Sequence, residues 1–301
     1  MADNNFEVLV IGGSYAGLSA AMSLGRSLRR VLLIDSGQPC NRQTPHSHNF
    51  LTQDGQKPAT IAATALAQVK QYASVTFYEG KAINCVRTEK GFELITEKGD
   101  LFRGQKIIFA TGIKDLMPDI TGFAECWGIS VIHCPYCHGY EVRNQQTGIL
   151  ANGDMAFHYA QLIHNWTQQL VIFTNGPSTL SPEQQTKLKQ RRIEIIETPI
   201  AHFDQTNGQL NAVVFQDEST FHLKAIYARP AFVQSTNIPL ALGCELTEQG
   251  LIKVDAFQKT TVAGVFACGD ATNPMRSVAL AVATGSATGA FVNHELIGET
   301  F

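Results

Sequence analysis

"FEVLVIGGSYAGLSAAMSLGRSLRRVLLID", residues 6–35, decides how this chain folds. Val8 to Ile11 is a short apolar run of the kind a buried parallel strand requires. "GGSYAG", residues 12–17, reads as a tight turn, and a small-residue-rich helix is expected over about 16–28. Val31 to Ile34 reads as a second strand ending at Asp35. Gly12 permits the turn, and Gly17 lets helix and strand pack closely. The helix N-terminus then offers free N–H groups and the positive end of its dipole to a pyrophosphate. Asp35 follows Gly12 by 23 residues, where an acid can accept bonds from ribose hydroxyls. Ser14 replaces the middle glycine of the usual fingerprint; it is small, and its hydroxyl can approach a phosphate. Strand before, helix after and acid at the second strand end together specify a dinucleotide-binding unit.

Composition sets the limits around that unit. The chain has 301 residues, 44 % of them hydrophobic and 16 % charged, enough for one large or two medium domains with a sizeable core. The net charge of −3 gives no basic footprint, so no nucleic-acid partner is expected. "MADNNFEVLVIGG" has neither a basic segment nor a cleavable apolar stretch. No run approaches the ~18 apolar residues of a membrane helix. A cytoplasmic protein without a membrane partner is expected. Its seven cysteines are Cys40, Cys85, Cys126, Cys134, Cys137, Cys244 and Cys268, and only Cys134 and Cys137 are close in sequence. In a reducing compartment such a pair is catalytic or metal-binding more often than structural.

The pair lies in "VIHCPYCHGYE", residues 131–141, between His133 and His138. Read alone, the segment is a metal knuckle, a redox pair or two unrelated buried thiols. Structural zinc needs four ligands, usually from two pairs. The sequence has no second CxxC and no HxxxH, and Cys126 lies eight residues upstream, outside any familiar knuckle. No metal is therefore expected. Cys40, Cys85, Cys244 and Cys268 read as small buried residues.

The other end of the chain supplies a complement. "TTVAGVFACGDATNPMRSVALAVATGSATGAFV", residues 260–292, reads as a short strand, then "CGD", then a small-residue helix. "GVFACGDA" (264–271), "IIFATG" (107–112) and the CxxC occur in an order that resembles the low-molecular-weight thioredoxin reductase family over essentially the whole chain. The resemblance implies an α/β fold of two Rossmann-like dinucleotide-binding domains, three-layer, the second inserted in the first. Residues 1–113 and 241–301 would form a discontinuous FAD domain, and 114–240 a pyridine-nucleotide-like domain carrying the cysteines. Prolines in "LMPDITGF" and "YARPAFVQSTNIPLALG" mark the two crossings.

By the same resemblance, FAD would be held by the first turn, Gly12, Gly13, Ser14, Tyr15, Ala16 and Gly17, and by Asp35 and Asn49. Ala82, then Ala110, Thr111 and Gly112, would add to it. Gly269, Asp270, Arg276, Ser277 and Val278 would complete the site. Ser277 stands where the family has glutamine. Asn49 lies in "HSHNFLTQDG" (46–55), a polar loop over the cofactor whose His46 and His48 could tune flavin protonation.

The cysteines acquire roles only through this resemblance. Cys137 would face the flavin, and Cys134 would be the interchange thiol that meets an external disulfide or dithiol. Pro135 suits the first helical turn, having no N–H to leave unpaired. A helix start lowers a thiol's pKa and activates it. The family's aspartate after the second cysteine is His138 here, which titrates near neutrality and can give or take the thiol proton.

The second nucleotide motif is degraded. In "GILANGDMAFHYAQLIHNWTQQLVIFTNG" (148–176), Ala151-Asn152-Gly153-Asp154-Met155-Ala156 replaces the family's Gly-Gly-Gly-Asp-Ser-Ala. Thr174, Asn175 and Gly176 replace the His-Arg-Arg run that takes the 2′-phosphate of NADPH. That phosphate would lose charge-assisted partners, each about 1.5–3 kcal/mol. Arg191 and Arg192 lie further on. The expected function is FAD-dependent disulfide/dithiol exchange with a thioredoxin-like protein or a small dithiol or disulfide, with NADPH left open. One alternative is an oxygen-dependent dithiol oxidase, similar to the CPYCHG-type enzymes that close disulfides in gliotoxin or holomycin. Others are a reductase fed by another donor and a non-catalytic flavin-binding scaffold. The resemblance also implies a homodimer.

Overall fold

The structure is a computed structural model and describes residues 4–301. The chain is α/β and forms two compact units, one of residues 4–42, 50–114 and 232–301, the other of 43–49 and 115–231.

In the first unit the quoted stretch forms strand Asn5–Ile11, helix Tyr15–Arg26 and strand Val31–Asp35. The two strands pair in parallel, Val8 against Val31 through Ile11 against Ile34. Val75–Glu79 extends the sheet on one side and Leu101–Phe109 on the other, and Val265–Ala267 pairs with the end of the latter. The antiparallel strands Ala82–Thr88 and Gly91–Thr96 attach to its beginning. Successive side chains of a strand point to opposite faces, and both faces are buried here. Val8 and Val10 pack among Leu18, Leu24, Val292 and Leu296 of the helices. Leu9 and Ile11 pack on the other face among Phe92, Leu94 and Ile252. Three layers result.

The helix Val278–Thr300 lies against Tyr15–Arg26, and small residues set the distance. A Cβ on Gly285 would stand 2.1 Å from the Ala16 carbonyl oxygen. Lys106, 5 % exposed, is matched by Glu295 at 2.7 Å and Glu299 at 2.5 Å, and Glu295 also meets Lys259.

The second unit repeats the plan. Its parallel sheet runs in the order Glu194–Ile196, Leu170–Phe173, Thr147–Leu150, Ala225–Ala228, Val131–Ile132. Leu170 and Ile172 face one core with Ala156, Ala160 and Leu188 of the helices Gly153–Ile163 and Pro182–Gln190. Val171 and Phe173 face the other, built with Phe203, Val213 and Phe215 of a three-stranded antiparallel sheet.

Two details differ from the sequence expectation. The inserted unit ends at Ala231 rather than at 240, because strand Phe232–Gln234 pairs with Ile113–Asp115 and Ile238 is buried with Leu9, Ala82 and Phe92 of the first unit's core. Cys40 is exposed rather than buried, whereas Cys85, Cys126, Cys244 and Cys268 are buried. Burial pushes the Cys85 and Cys268 thiols up to about 12, which keeps them protonated and unreactive. Among the described residues no helix is long and apolar enough to cross a membrane.

Candidate active site

The first turn is built to take an anion. Gly12 has φ +102°, and a Cβ there would stand 2.3 Å from the Ala110 carbonyl oxygen. A Cβ on Gly17 would stand 1.7 Å from the Gly12 oxygen. Only glycine fits either place. Ser14 is the N-cap of helix Tyr15–Arg26, yet its side chain makes no capping bond, and the first turn carries no acid. The helix thus has no side-chain cap from Ser14 and no acid of its own against the positive end of its dipole. The Gly13 N–H donates to Asp35 Oδ1 at 3.0 Å, which fixes the carboxylate at the strand end beside the turn.

Other expected FAD residues of the first unit lie as follows. Thr111 Oγ1 is buried with no hydrogen-bond partner, a hydroxyl left for a group the protein alone does not supply. Asp270 follows strand Val265–Ala267 and meets Arg276 at 3.8 Å. Gly269 has φ +69° and donates its N–H to Thr284 Oγ1. Ser277 caps the helix that begins at Val278, accepting the Leu280 N–H at 3.2 Å, so its hydroxyl serves the helix where the family has glutamine. Ala82 is buried at the start of its strand. Tyr15 donates to the Pro58 carbonyl. Asn49, at φ +58°, belongs to the segment that clusters with the second unit. The uncapped helix, the two glycines that admit no Cβ and the orphan hydroxyl fit FAD.

In the second unit Cys134 and Cys137 form a disulfide, their Cα atoms 5.3 Å apart. Strand Val131–Ile132 leads into it, and Pro135–His138 makes one helical turn with Pro135 at its start and Cys134 as its N-cap. The Cys137 N–H donates to Cys134 Sγ at 3.2 Å. That donor favours a thiolate on Cys134 once the bond opens. Tyr136, between the cysteines, is exposed and stands edge-on to Trp166.

His138 is not alone. His48, 90 residues upstream, presents its ring edge-on with centroids 6.0 Å apart, and its Nε2 is 3.6 Å from Glu141 Oε1. The nearest ligand atoms of His48, His138 and Glu141 all lie within 4.8 Å of one another. Burial lowers the His138 pKa, its Coulombic interaction with His48 lowers it further, and Glu141 opposes both. A neutral ring beside the disulfide can accept a thiol proton and pass it toward an exposed carboxylate.

The second nucleotide turn has the opposite construction from the first. Asn152 caps helix Gly153–Ile163, its Oδ1 accepting the Gly153 N–H at 2.8 Å. The same oxygen accepts the Thr179 N–H at 2.8 Å and the Thr179 hydroxyl at 3.1 Å. Asp154 places an acid in the first turn and is held by Gln184. Thr174 and Asn175 are also committed within the protein, Thr174 to the Gly176 and Ile196 carbonyls and Asn175 to the Ile200 N–H. The Gly153 N–H and the side chains of Asn152, Asp154, Thr174 and Asn175 are thus bonded within the protein.

Two partners escaped the sequence. His48 was read as a loop residue over the cofactor, and Glu141 was not singled out. Thr179 carries no motif at all; an asparagine just before a predicted helix was the available signal for the Asn152 cap.

Residues 6–285 match the family described as pyridine nucleotide-disulphide oxidoreductase. The chain is 32 % identical to the thioredoxin reductase sirT of Leptosphaeria maculans, over 97 % of this chain and 95 % of that one. The solved structure of HlmI superposes with a TM-score of 0.94 at 32 % identity, over 100 % of this chain and 95 % of that one. An oxidoreductase from Agrobacterium tumefaciens gives 0.91 at 36 %, over 98 % and 99 %. The chain belongs to the pyridine nucleotide-disulphide oxidoreductase family, in its thioredoxin-reductase-like branch: it is a flavin enzyme that acts on sulfur groups.

Proposed function

We propose that the protein oxidises small dithiols to disulfides without a pyridine nucleotide, with dioxygen as the final oxidant. The observation that carries this reading is the Asn152 carboxamide, which receives three donors and so closes the turn where a pyridine nucleotide would dock. The uncapped first turn and the capped second one support one working nucleotide, FAD. When bound, FAD supplies a two-electron acceptor for the cysteine pair.

The chain's own part is thiol exchange. A substrate thiol gives its proton to His138, and the thiolate attacks Cys134 Sγ. The Cys134–Cys137 bond breaks and Cys137 leaves as a thiolate. The second substrate thiol then attacks the substrate sulfur of the mixed disulfide. The product disulfide forms and the Cys134 thiolate departs, held by the Cys137 N–H. Two electrons pass from substrate to the cysteine pair; one substrate proton stays on His138, and the second substrate thiol gives its proton to the Cys137 thiolate. A thioredoxin-like protein would present its dithiol to the same sulfur.

Anaerobic titration of the holoenzyme tests the direction. A dithiol should bleach the flavin and oxygen should restore it, while NADPH leaves it oxidised. Bleaching by NADPH within seconds would overturn the reading. A cytoplasmic homodimer belongs to the same proposal. Four buried cysteines left unpaired support a reducing compartment, and sedimentation measures the oligomer.

A further inference from the structure

We propose that His48, His138 and Glu141 form a reversible binding site for zinc beside the redox disulfide. No zinc site was expected from sequence, because the ligands come from two segments 90 residues apart. In space their ligand atoms lie within 4.8 Å of one another, and His48 Nε2 is already 3.6 Å from Glu141 Oε1. Ligands around a tetrahedral zinc stand about 3.3 Å apart, given bonds of about 2.0–2.1 Å. Modest rotations about the His48 and His138 side-chain bonds would bring the set together. Two imidazoles and one carboxylate make the open, three-ligand arrangement in which water takes the fourth position. Imidazole nitrogens select zinc and its neighbours over calcium or magnesium.

Glu141 is exposed, so an ion can enter from solvent. A bound zinc would occupy the lone pair that accepts the substrate proton and so hold the enzyme inactive until the metal is removed. That consequence rests on the role given to His138 under the proposed function; the binding does not.

The test therefore uses oxidised holoenzyme with no thiol present. Zinc is titrated against a chromophoric chelator, and cobalt(II) is added separately as a spectroscopic probe. One equivalent should bind, with cobalt giving visible ligand-field bands of low coordination number. Glu141→Gln and His48→Asn, each checked for bound flavin, should each raise the zinc Kd by at least about tenfold. His46→Asn, at an exposed position two residues from His48, should leave it unchanged. Equal affinity in wild type, Glu141→Gln and His48→Asn would overturn the site, as would binding lost only on replacing the cysteines. Neither result would touch the direction of electron flow.

Discussion

The imidazole of His48 meets that of His138 edge to face, centroids 6.0 Å apart and planes at 87°. Burial first, and the Coulombic interaction with His48 second, lower the His138 pKa from 6.5, while Glu141 raises it. With chelator present to exclude metals, kcat/KM for dithiol oxidation should therefore fall off on the acid side only below about pH 6.5. Glu141→Gln removes the opposing charge and should move that limb to still lower pH. His48→Asn removes a depressing interaction and should move it toward neutrality. A limb unmoved by both changes would remove His138 from the proton path. The stability linkage has the same sign. The unfolded chain binds this proton more tightly, so the His138 contribution is present above about pH 6.5 and is lost as pH falls through the folded value.

Cys134 and Cys137 are joined within one helical turn, so either serine variant loses the disulfide and with it flavin reduction by dithiols. The two variants separate the roles. With Cys137→Ser, the Cys134 thiolate is left to attack a small disulfide, releasing one of its halves as a thiol and keeping the other in a stable mixed disulfide, seen as a mass increase. With Cys134→Ser no such adduct should accumulate. An adduct of equal yield on both variants would reverse or dissolve the assignment of Cys134 as the interchange thiol.

The sequence showed the two ends of the fold more plainly than its middle, and the reason is range. Gly12, Gly17 and Asp35 act through local backbone geometry, a strand–turn–helix–strand whose spacing alone reveals it. The cysteine pair is equally local. His48 with Glu141, and Asn152 with Thr179, are meetings of distant segments, and nothing in either partner's neighbourhood announces the other. The crossing near residue 232 was misplaced for a related cause. The prolines at 230 and 239 both read as a linker, but the strand Phe232–Gln234 finds its partner at Ile113–Asp115, far back in the chain.

The glycine turn makes a strong prediction about flavin content. In Gly17→Ala the new methyl would stand 1.7 Å from the Gly12 carbonyl oxygen, so the turn must open. The variant should purify with little bound flavin, read from the ratio of absorbance near 450 nm to that near 280 nm. Thr111→Val is milder. It removes the orphan hydroxyl and replaces it with a methyl of similar size, so FAD should dissociate about fivefold more readily, for a hydrogen bond of about 1 kcal/mol. Wild-type flavin content and affinity in both would detach these residues from the cofactor.

Asn152 bears on electron flow most directly. Its carboxamide caps a helix and receives two further donors from Thr179. Asn152→Ala leaves those groups to water, and loss of an N-cap alone lowers stability by about 1–2 kcal/mol, visible as a lower melting temperature. The variant should still not be reduced by NADPH. Removing the cap opens the turn, but Thr174, Asn175 and Gly176 still offer no cation to a 2′-phosphate. Dithiol oxidation should persist, since the cysteines and His138 lie on other elements. If Asn152→Ala instead bleaches with NADPH as fast as with a dithiol, the internal bonds would be a removable latch over a working site. The chain would then be a reductase held shut, and the assignment of dithiol as electron donor would fall.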